Sequence, residues 1–595
     1  MTAAAATATA SRRDSPSTWL VAALLSSASV LLGFVSAAFG TAGLAGSVFA
    51  VVAVALVIAV WRRPELSPIV LLVGALTIEQ FPFPAALPGA TTTGVTPSDY
   101  TDRLPLFHGV GGVHLSPADL LVLTLVVIWL LKRGTSATAS VPRSPLTWAV
   151  GALLLAVGVG VIVGQAHHGE LRTAFTEVRP YFYLAAAYLV ATVFVTRLEI
   201  LRLAMWALVL CSGFKATQAV YSFLSVRNQF PRPDFVVGHE EALFFALFII
   251  LTISLWLFEV PGRLRTTATF LLPLVLVADL VNSRRAAWLI LGGALIALTG
   301  ITLAAVPARR HYLTRFLAVL TVIGAFYFPA YWNHSGALAG PARAVKSAVS
   351  PNMRDESSDV YRIEENQNLK LNIRQGGVLG KGFGLPIDYA LPIDDISSID
   401  PMIRFVPHNG VLYIFMRMGL LGTMAFWSLL AIGIITGCRL VRSGNREVAL
   451  FAALLACALV GYALEGSYDK GFFMYRIAFA IGTLLGLGEA ARRLEAHGAE
   501  LAPAVAAAPT ATLPPALTSV VPLRRAPARR AARGAEAEAP RPWRRDRIAQ
   551  LVALALLPIA LAFFIWLLVA GSRSSTVPAV RPSHETHLKG GSHER

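Results

Sequence analysis

The sequence predicts an all-α polytopic membrane protein. The expected architecture is a bundle of about fourteen transmembrane helices with one large exterior loop, plus an additional transmembrane helix near the C-terminus. Three observations predict it. Hydrophobic residues make up 55% of the 595-residue chain and charged residues 14%, and the mean hydropathy is +0.62; an average soluble protein carries roughly 25% charged residues. Apolar runs recur at the length of about 20 residues that a helix needs to cross hydrocarbon. Runs such as 51–61 and 286–305 lack the alternation of a membrane β-strand.

The formal charge of +17 follows topology rather than a nucleic-acid surface. Basic residues fall between every second pair of spans, as the positive-inside rule requires. Arg12 and Arg13 place the N-terminal tail, 1–18, in the cytoplasm. Arg62 and Arg63, then Lys132, Arg133 and Arg143, then Arg197 and Arg202 mark successive inner loops. Arg263 and Arg265, then Arg309, Arg310 and Arg315, then Arg439, Arg442 and Arg446 continue the alternation. The first part of the bundle, 19–332, then comprises spans at 19–39, 41–61, 66–82, 117–131, 146–164, 181–196, 199–222, 238–258, 266–282, 285–306 and 314–332. The second part, 411–490, adds 411–438, 447–466 and 472–490. This order puts 83–116, 165–180, 223–237 and the large loop, 333–410, outside. The first span has no small-residue cleavage site behind it and reads as retained.

From 491 to 547 the chain is rich in Ala, Pro and Arg, with Arg524, Arg525, Arg529, Arg530 and Arg533 clustered. Such a segment has too few large apolar groups to offset its ordering entropy, and it reads as a disordered basic cytoplasmic linker against the anionic inner leaflet. A last span at 548–570 leads to an exterior tail, 571–595. Cys211, Cys438 and Cys457 lie in spans or at their cytoplasmic ends, so no exterior disulfide or Cys-based metal site follows from them.

The large loop carries Arg354, Arg362, Arg374 and His408 and closes on Pro407-His408-Asn409-Gly410. Its stretch 361–375 has apolar and aromatic residues among charges and suggests a helix on the membrane surface. Leu379-Gly380-Lys381-Gly382-Phe383-Gly384 reads as a tight glycine turn; its spacing is not that of a P-loop. The acidic stretch 388–400 is either a lid or a solvated loop. Arg284 and Arg285 begin a span at the outer face, where basic residues are scarce. They are either interfacial anchors that snorkel to headgroups or a planar donor fork for phosphate oxygens. His408 lies directly before a span, and histidine is the residue type whose reference pKa of about 6.5 suits proton transfer near neutrality. Arg179, before Pro180, sits at another expected outer helix start. No HExxH, DxD or Cys/His pattern implies a metal, and no nucleotide-binding signature is present.

Taken together these residues resemble the O-antigen ligase and polymerase family of polytopic glycosyltransferases. Ser283-Arg284-Arg285-Ala286 resembles the family's Ser-Arg-Gly-like start of a span. Arg362, followed by Leu379-Gly380-Lys381-Gly382, resembles its Arg and Leu-Gly-x-Gly loop element. His408-Asn409-x-x-Leu412 with Gly419-Leu420-Leu421-Gly422 resembles its closing signature, and Arg179 with Tyr181 and Leu184 a looser upstream element. The likeness covers about residues 20–490. The chain departs from the pattern at Arg285, where the family has Gly, and at Glu364-Glu365-Asn366, where an aromatic often follows the loop Arg.

The resemblance implies a metal-independent, inverting transfer without a cofactor, in a bacterial cytoplasmic membrane. The donor would be a glycan on a polyprenyl pyrophosphate, and the acceptor hydroxyl would belong to a glycolipid, a glycan or a protein. Arg284 and Arg362 would bind and stabilise the pyrophosphate, and His408 would act as general base. Arg179, Arg285, Asn409 and Arg374 would be substrate contacts. A repeat-unit polymerase would use the same motifs. A lipid-linked glycan transporter or flippase is the rival from another class, because Glu79, Lys215, Gln218, Asp279 and Glu465 place polar groups inside spans.

Overall fold

The structure, a computed structural model, describes residues 55–79, 107, 115–135, 140–226, 236–334, 337–350, 353–397 and 402–506. The expected N-terminal tail, the first span and most of the second, nearly all of 83–116, and everything from 507 onward lie outside the described residues. All regular structure among the described residues is helical. Seven helices are long and apolar enough to cross a membrane, and two apolar helices are shorter. This is the architecture of a polytopic helical membrane protein.

The helices up to the large loop are α1 (Ser67–Thr77), α2 (Pro117–Thr135), α3 (Pro145–Ala166), α4 (Leu171–Phe194), α5 (Glu199–Val226), α6 (Glu241–Leu257), α7 (Arg263–Asn282), α8 (Arg285–Ala305) and α9 (Arg310–Tyr331). Two helices, α10 (Gly340–Val349) and α11 (Met353–Gly376), follow in the loop. The bundle resumes with α12 (Gly410–Leu440), α13 (Arg446–Tyr468) and α14 (Tyr475–Ala506). Starts are set by local chemistry: Ser144, Asn409 and Asn445 each cap a helix with a side-chain oxygen, satisfying N–H groups the first turn leaves open. The core is α13, with 78% of its apolar stretch buried, packed between α6, α8 and α12. Helix α9 lies at the periphery, with 6% buried.

Two expectations are corrected. The helix expected from 181 begins ten residues earlier, because α4 starts at Leu171 and runs through Pro180. Its charges suggested solvent, but Glu177 is fully buried beside Arg417 and Arg179 pairs with Asp119 at 3.3 Å. The buried face, Ala174, Val178, Tyr181 and Leu184, continues across the proline, so packing outweighs the one lost backbone bond. Similarly, the expected linker does not begin at 491, since α14 continues to Ala506.

The loop is built rather than open. Asn368 Oδ1 accepts from the backbone N–H groups of Ala390 and Leu391, both at 2.8 Å. Asn372 Oδ1 accepts from Asp388 N–H at 3.0 Å and from Lys381 Nζ at 2.8 Å. Both asparagines are buried on one face of α11, and they fold the start of the acidic stretch back onto that helix.

A candidate functional site at the loop end of the bundle

At the end of the bundle that carries α10 and α11, five chain segments meet. The α7–α8 junction supplies the first. Helix α7 ends with Ser283 in the left-handed region (φ 55), and Arg284 follows extended (φ −83, ψ 124) as the N-cap of α8. This two-residue reversal sends Arg284 and Arg285 in different directions. Arg285 Nη1 donates to Ser347 Oγ at 2.7 Å and Nη2 faces Asp359 at 3.5 Å, tying α8 to both loop helices. Arg284 is half-buried, and its charge reaches His239 and Glu465.

Helix α11 supplies the second segment. Arg362 and Glu365 are three residues apart and share a face. The Arg362 charge reaches Glu465 and Asp469. His408, in the turn before α12, is the third. Its backbone N–H donates to Glu365 Oε2 at 3.1 Å, and its Nδ1 lies 3.2 Å from Glu365 Oε1. The Tyr361 ring meets the imidazole edge-on at 5.7 Å. The fourth and fifth, the residues before α6 and after α13, meet in the pair His239–Asp469, 2.7 Å apart. Buried Asn282 holds the His239 segment by accepting from Val236 and Val237 N–H at 3.3 and 3.2 Å. Burial raises the Asp469 pKa, but His239, Arg362 and His408 together hold this carboxyl well below the usual aspartate range.

Arg284, Arg362 and His408, 124 positions apart in the chain from first to last, therefore share one electrostatic neighbourhood centred on Asp469 and Glu465. The other sequence-derived candidates lie differently. Asn409 uses its Oδ1 to cap α12 through Leu412 N–H at 3.1 Å. Arg374 is exposed near the C-terminal end of α11, about 18 Å along the axis from Arg362 at 1.5 Å per residue. Arg179 sits mid-helix with Asp119 rather than at a helix start. Sequence reasoning missed His239, Glu365 and Asp469. Their signal is a pairing across the fold, 230 residues for His239–Asp469 and 43 for Glu365–His408.

The glycine element is structural. Phe383 is fully buried, with its N–H donating to Gly160 O at 3.1 Å. A Cβ on Gly164 would lie 1.9 Å from Phe383 O, so α3 offers a flat groove that only glycine permits. Opposite, α12 breaks at Gly419 (φ 62, ψ −157), a conformation that disfavours any side chain. The break frees the carbonyls of Met416 and Arg417 to accept from Lys381 and Gly382 N–H at 2.6 and 3.2 Å. Arg417, fully buried, then locks the turn through Gly382 O at 3.0 Å, Phe405 O at 2.8 Å and Glu177 at 2.7 Å.

Beneath the mouth lies a second ionic cluster. Arg476 meets Glu79 at 2.7 Å, Glu241 at 2.5 Å and Glu240 at 3.8 Å; Lys215 pairs with Glu79 and lies 3.7 Å from Glu241. All five side chains are at most 5% exposed. Among the described residues, no group of three or more His, Cys, Asp or Glu is placed to hold a metal ion. The described residues form a polytopic helical membrane protein in which arginines, histidines and carboxylates from distant segments meet at the loop end of the bundle. No protein-family model and no curated protein matches the chain.

Proposed function

We propose that this protein is a glycosyltransferase of the O-antigen ligase type, acting at the outer face of a bacterial cytoplasmic membrane. In this reading the N-terminus is cytoplasmic, the bundle has about fourteen spans with one more near the C-terminus, and the loop end is exterior. The observation that carries it is the gathering of Arg284, Arg362 and His408 from three chain segments around Asp469 and Glu465.

The donor is a glycan on a polyprenyl pyrophosphate. An acceptor hydroxyl attacks the anomeric carbon, and His408 takes its proton as general base. The bond from that carbon to the pyrophosphate oxygen breaks, and the fixed guanidinium groups of Arg284 and Arg362 stabilise the charge that develops there. The products are the inverted glycoside and free polyprenyl pyrophosphate. Fixed cations at the leaving group supply the electrostatic role without a resident metal. The acceptor is a glycolipid, a glycan or a protein; if it is another lipid-linked repeat, the enzyme is a polymerase.

The test uses purified protein, a fluorescent polyprenyl-pyrophosphate glycan and membrane-extracted acceptors, with EDTA present. Transfer by wild type that vanishes in His408→Ala and Arg284→Ala is expected. One observation favours a second reading, a lipid-linked glycan transporter: the cluster of Glu79, Lys215, Glu240, Glu241 and Arg476 buried in the bundle. Donor that crosses reconstituted bilayers intact, with no bond broken, would establish that reading instead.

A further inference from the structure

We propose that Glu365 is the positioning residue for His408, holding its ring as the Nδ1–H tautomer so that an unprotonated Nε2 faces the mouth. That this Nε2 receives the acceptor proton rests on the glycosyltransferase reading; the tautomer itself does not.

The geometry is bidentate. The Glu365 side chain is 1% exposed, and each of its oxygens is matched to a different His408 group. Oε2 accepts the backbone N–H at 3.1 Å, and Oε1 stands 3.2 Å from Nδ1. With Glu365 taken as a carboxylate, which accepts and never donates, the proton between Oε1 and Nδ1 is assigned to the ring. The bond made by one imidazole nitrogen decides what the other can offer. With Nδ1 protonated and the ring neutral, Nε2 carries a lone pair. Tyr361 closes off the ring from the side at an interplanar angle of 89°, while 21% of the His408 side chain stays exposed. The remaining charged groups within reach of the cluster are His239 before α6, Arg284 before α8, Arg362 on α11, Glu465 at the end of α13 and Asp469 after it. Glu365 is the residue placed on Nδ1.

Glu365 lies in the run where this chain departs from the family pattern, with acidic residues in place of an aromatic. That departure acquires a physical account. Residues 361, 362 and 365 occupy one helical face, so α11 delivers the ring wall, the leaving-group cation and the base holder together.

Glu365→Gln is the discriminating substitution. A carboxamide has one acceptor oxygen and an NH2 donor. When its oxygen keeps the His408 backbone N–H, the NH2 faces Nδ1, which must then accept. The ring moves to the Nε2–H tautomer and loses its basic nitrogen at the mouth. The carboxylate that orients the histidine of a serine protease contributes about 10,000-fold to kcat by this route. The expected result here is a kcat loss of about 100- to 10,000-fold with KM within about threefold. Glu365→Asp, which keeps the carboxylate, should recover part of the loss.

The decisive readout is 15N NMR of the full chain in nanodiscs with labelled histidine, the His408 signals being assigned from their absence in His408→Gln. Wild type should show a pyridine-like Nε2, and Glu365→Gln a pyrrole-like one. An Nε2–H tautomer in wild type, an unchanged tautomer in Glu365→Gln, or equal activity of the Asp and Gln variants would each overturn the proposal. Should the tautomer switch in a protein that transfers no glycan, the reaction reading fails and this inference stands. Transfer by wild type with a tautomer indifferent to Glu365 would sink this inference and leave the reaction reading intact.

Discussion

At the N-terminus of α8 a single peptide bond separates two arginines with different surroundings. Arg285 is held by Ser347 and Asp359, while the Arg284 charge reaches His239 and Glu465. The pair stood out in the sequence as basic residues at an expected outer face, but their division was not legible there, because it depends on the left-handed turn at Ser283. Arg284→Lys keeps the charge and loses the planar donor fork. On the proposed reaction, kcat should fall about 100-fold or more, with KM less affected, in a steady-state transfer assay. Asp469 gives a pH prediction. Its pKa in the folded protein is depressed by His239, Arg362 and His408 against the opposing effect of burial. The stabilisation is therefore complete above the ordinary aspartate value of about 3.9 and lost as pH falls through the folded one. Thermal unfolding in detergent should show wild type above Asp469→Asn at pH 5, with the gap narrowing below about pH 4.

At the scale of elements, the apolar helices from α3 to α13 were readable from their runs, within a few residues at each end. The exception is α4, whose charged first half was left outside the expected span because its partners Asp119 and Arg417 come from distant segments. The glycine-rich turn was legible as a motif and not as a plug. Its purpose emerges only when Gly160 and Gly164 on α3 and the break at Gly419 in α12 are seen around Phe383. Gly164→Ala should therefore be far more damaging than Gly158→Ala on the same helix. The first Cβ would lie 1.9 Å from Phe383 O and the second meets nothing within 4 Å. Thermal unfolding in detergent should show loss of stability in the former and near-neutrality in the latter. A different loss is expected for Asn368→Ala, which frees the backbone near Ala390 and Leu391. Limited proteolysis should then cut around 390 while α12 to α14 stay protected.

For the molecule as a whole, a membrane bundle was evident from composition, since apolar helices must satisfy their own backbone groups in lipid. What composition could not reveal is the ionic cluster buried inside it. Glu79 and Lys215 were visible as polar residues in spans, but their partners Arg476, Glu240 and Glu241 come from distant segments of the chain. Arg476 is fully buried, donates to Ala75 O at 2.7 Å and faces three carboxylates, those of Glu79, Glu240 and Glu241. Arg476→Met would leave these with Lys215 alone. Breaking a buried charge arrangement by removing one partner costs about 3–5 kcal/mol, and SDS-induced unfolding in bicelles would measure it.

Helix α11 carries Arg362 and Glu365 one turn apart, and Arg285 anchors it to the bundle through Asp359. On the proposed chemistry, the cation that activates the donor and the carboxylate that readies the base move as one rigid body. Lifting that rod from the mouth would disarm both halves of the reaction at once. On that chemistry, separating α11 from α8 would leave Arg284 behind at the bundle without the second cation or the base holder.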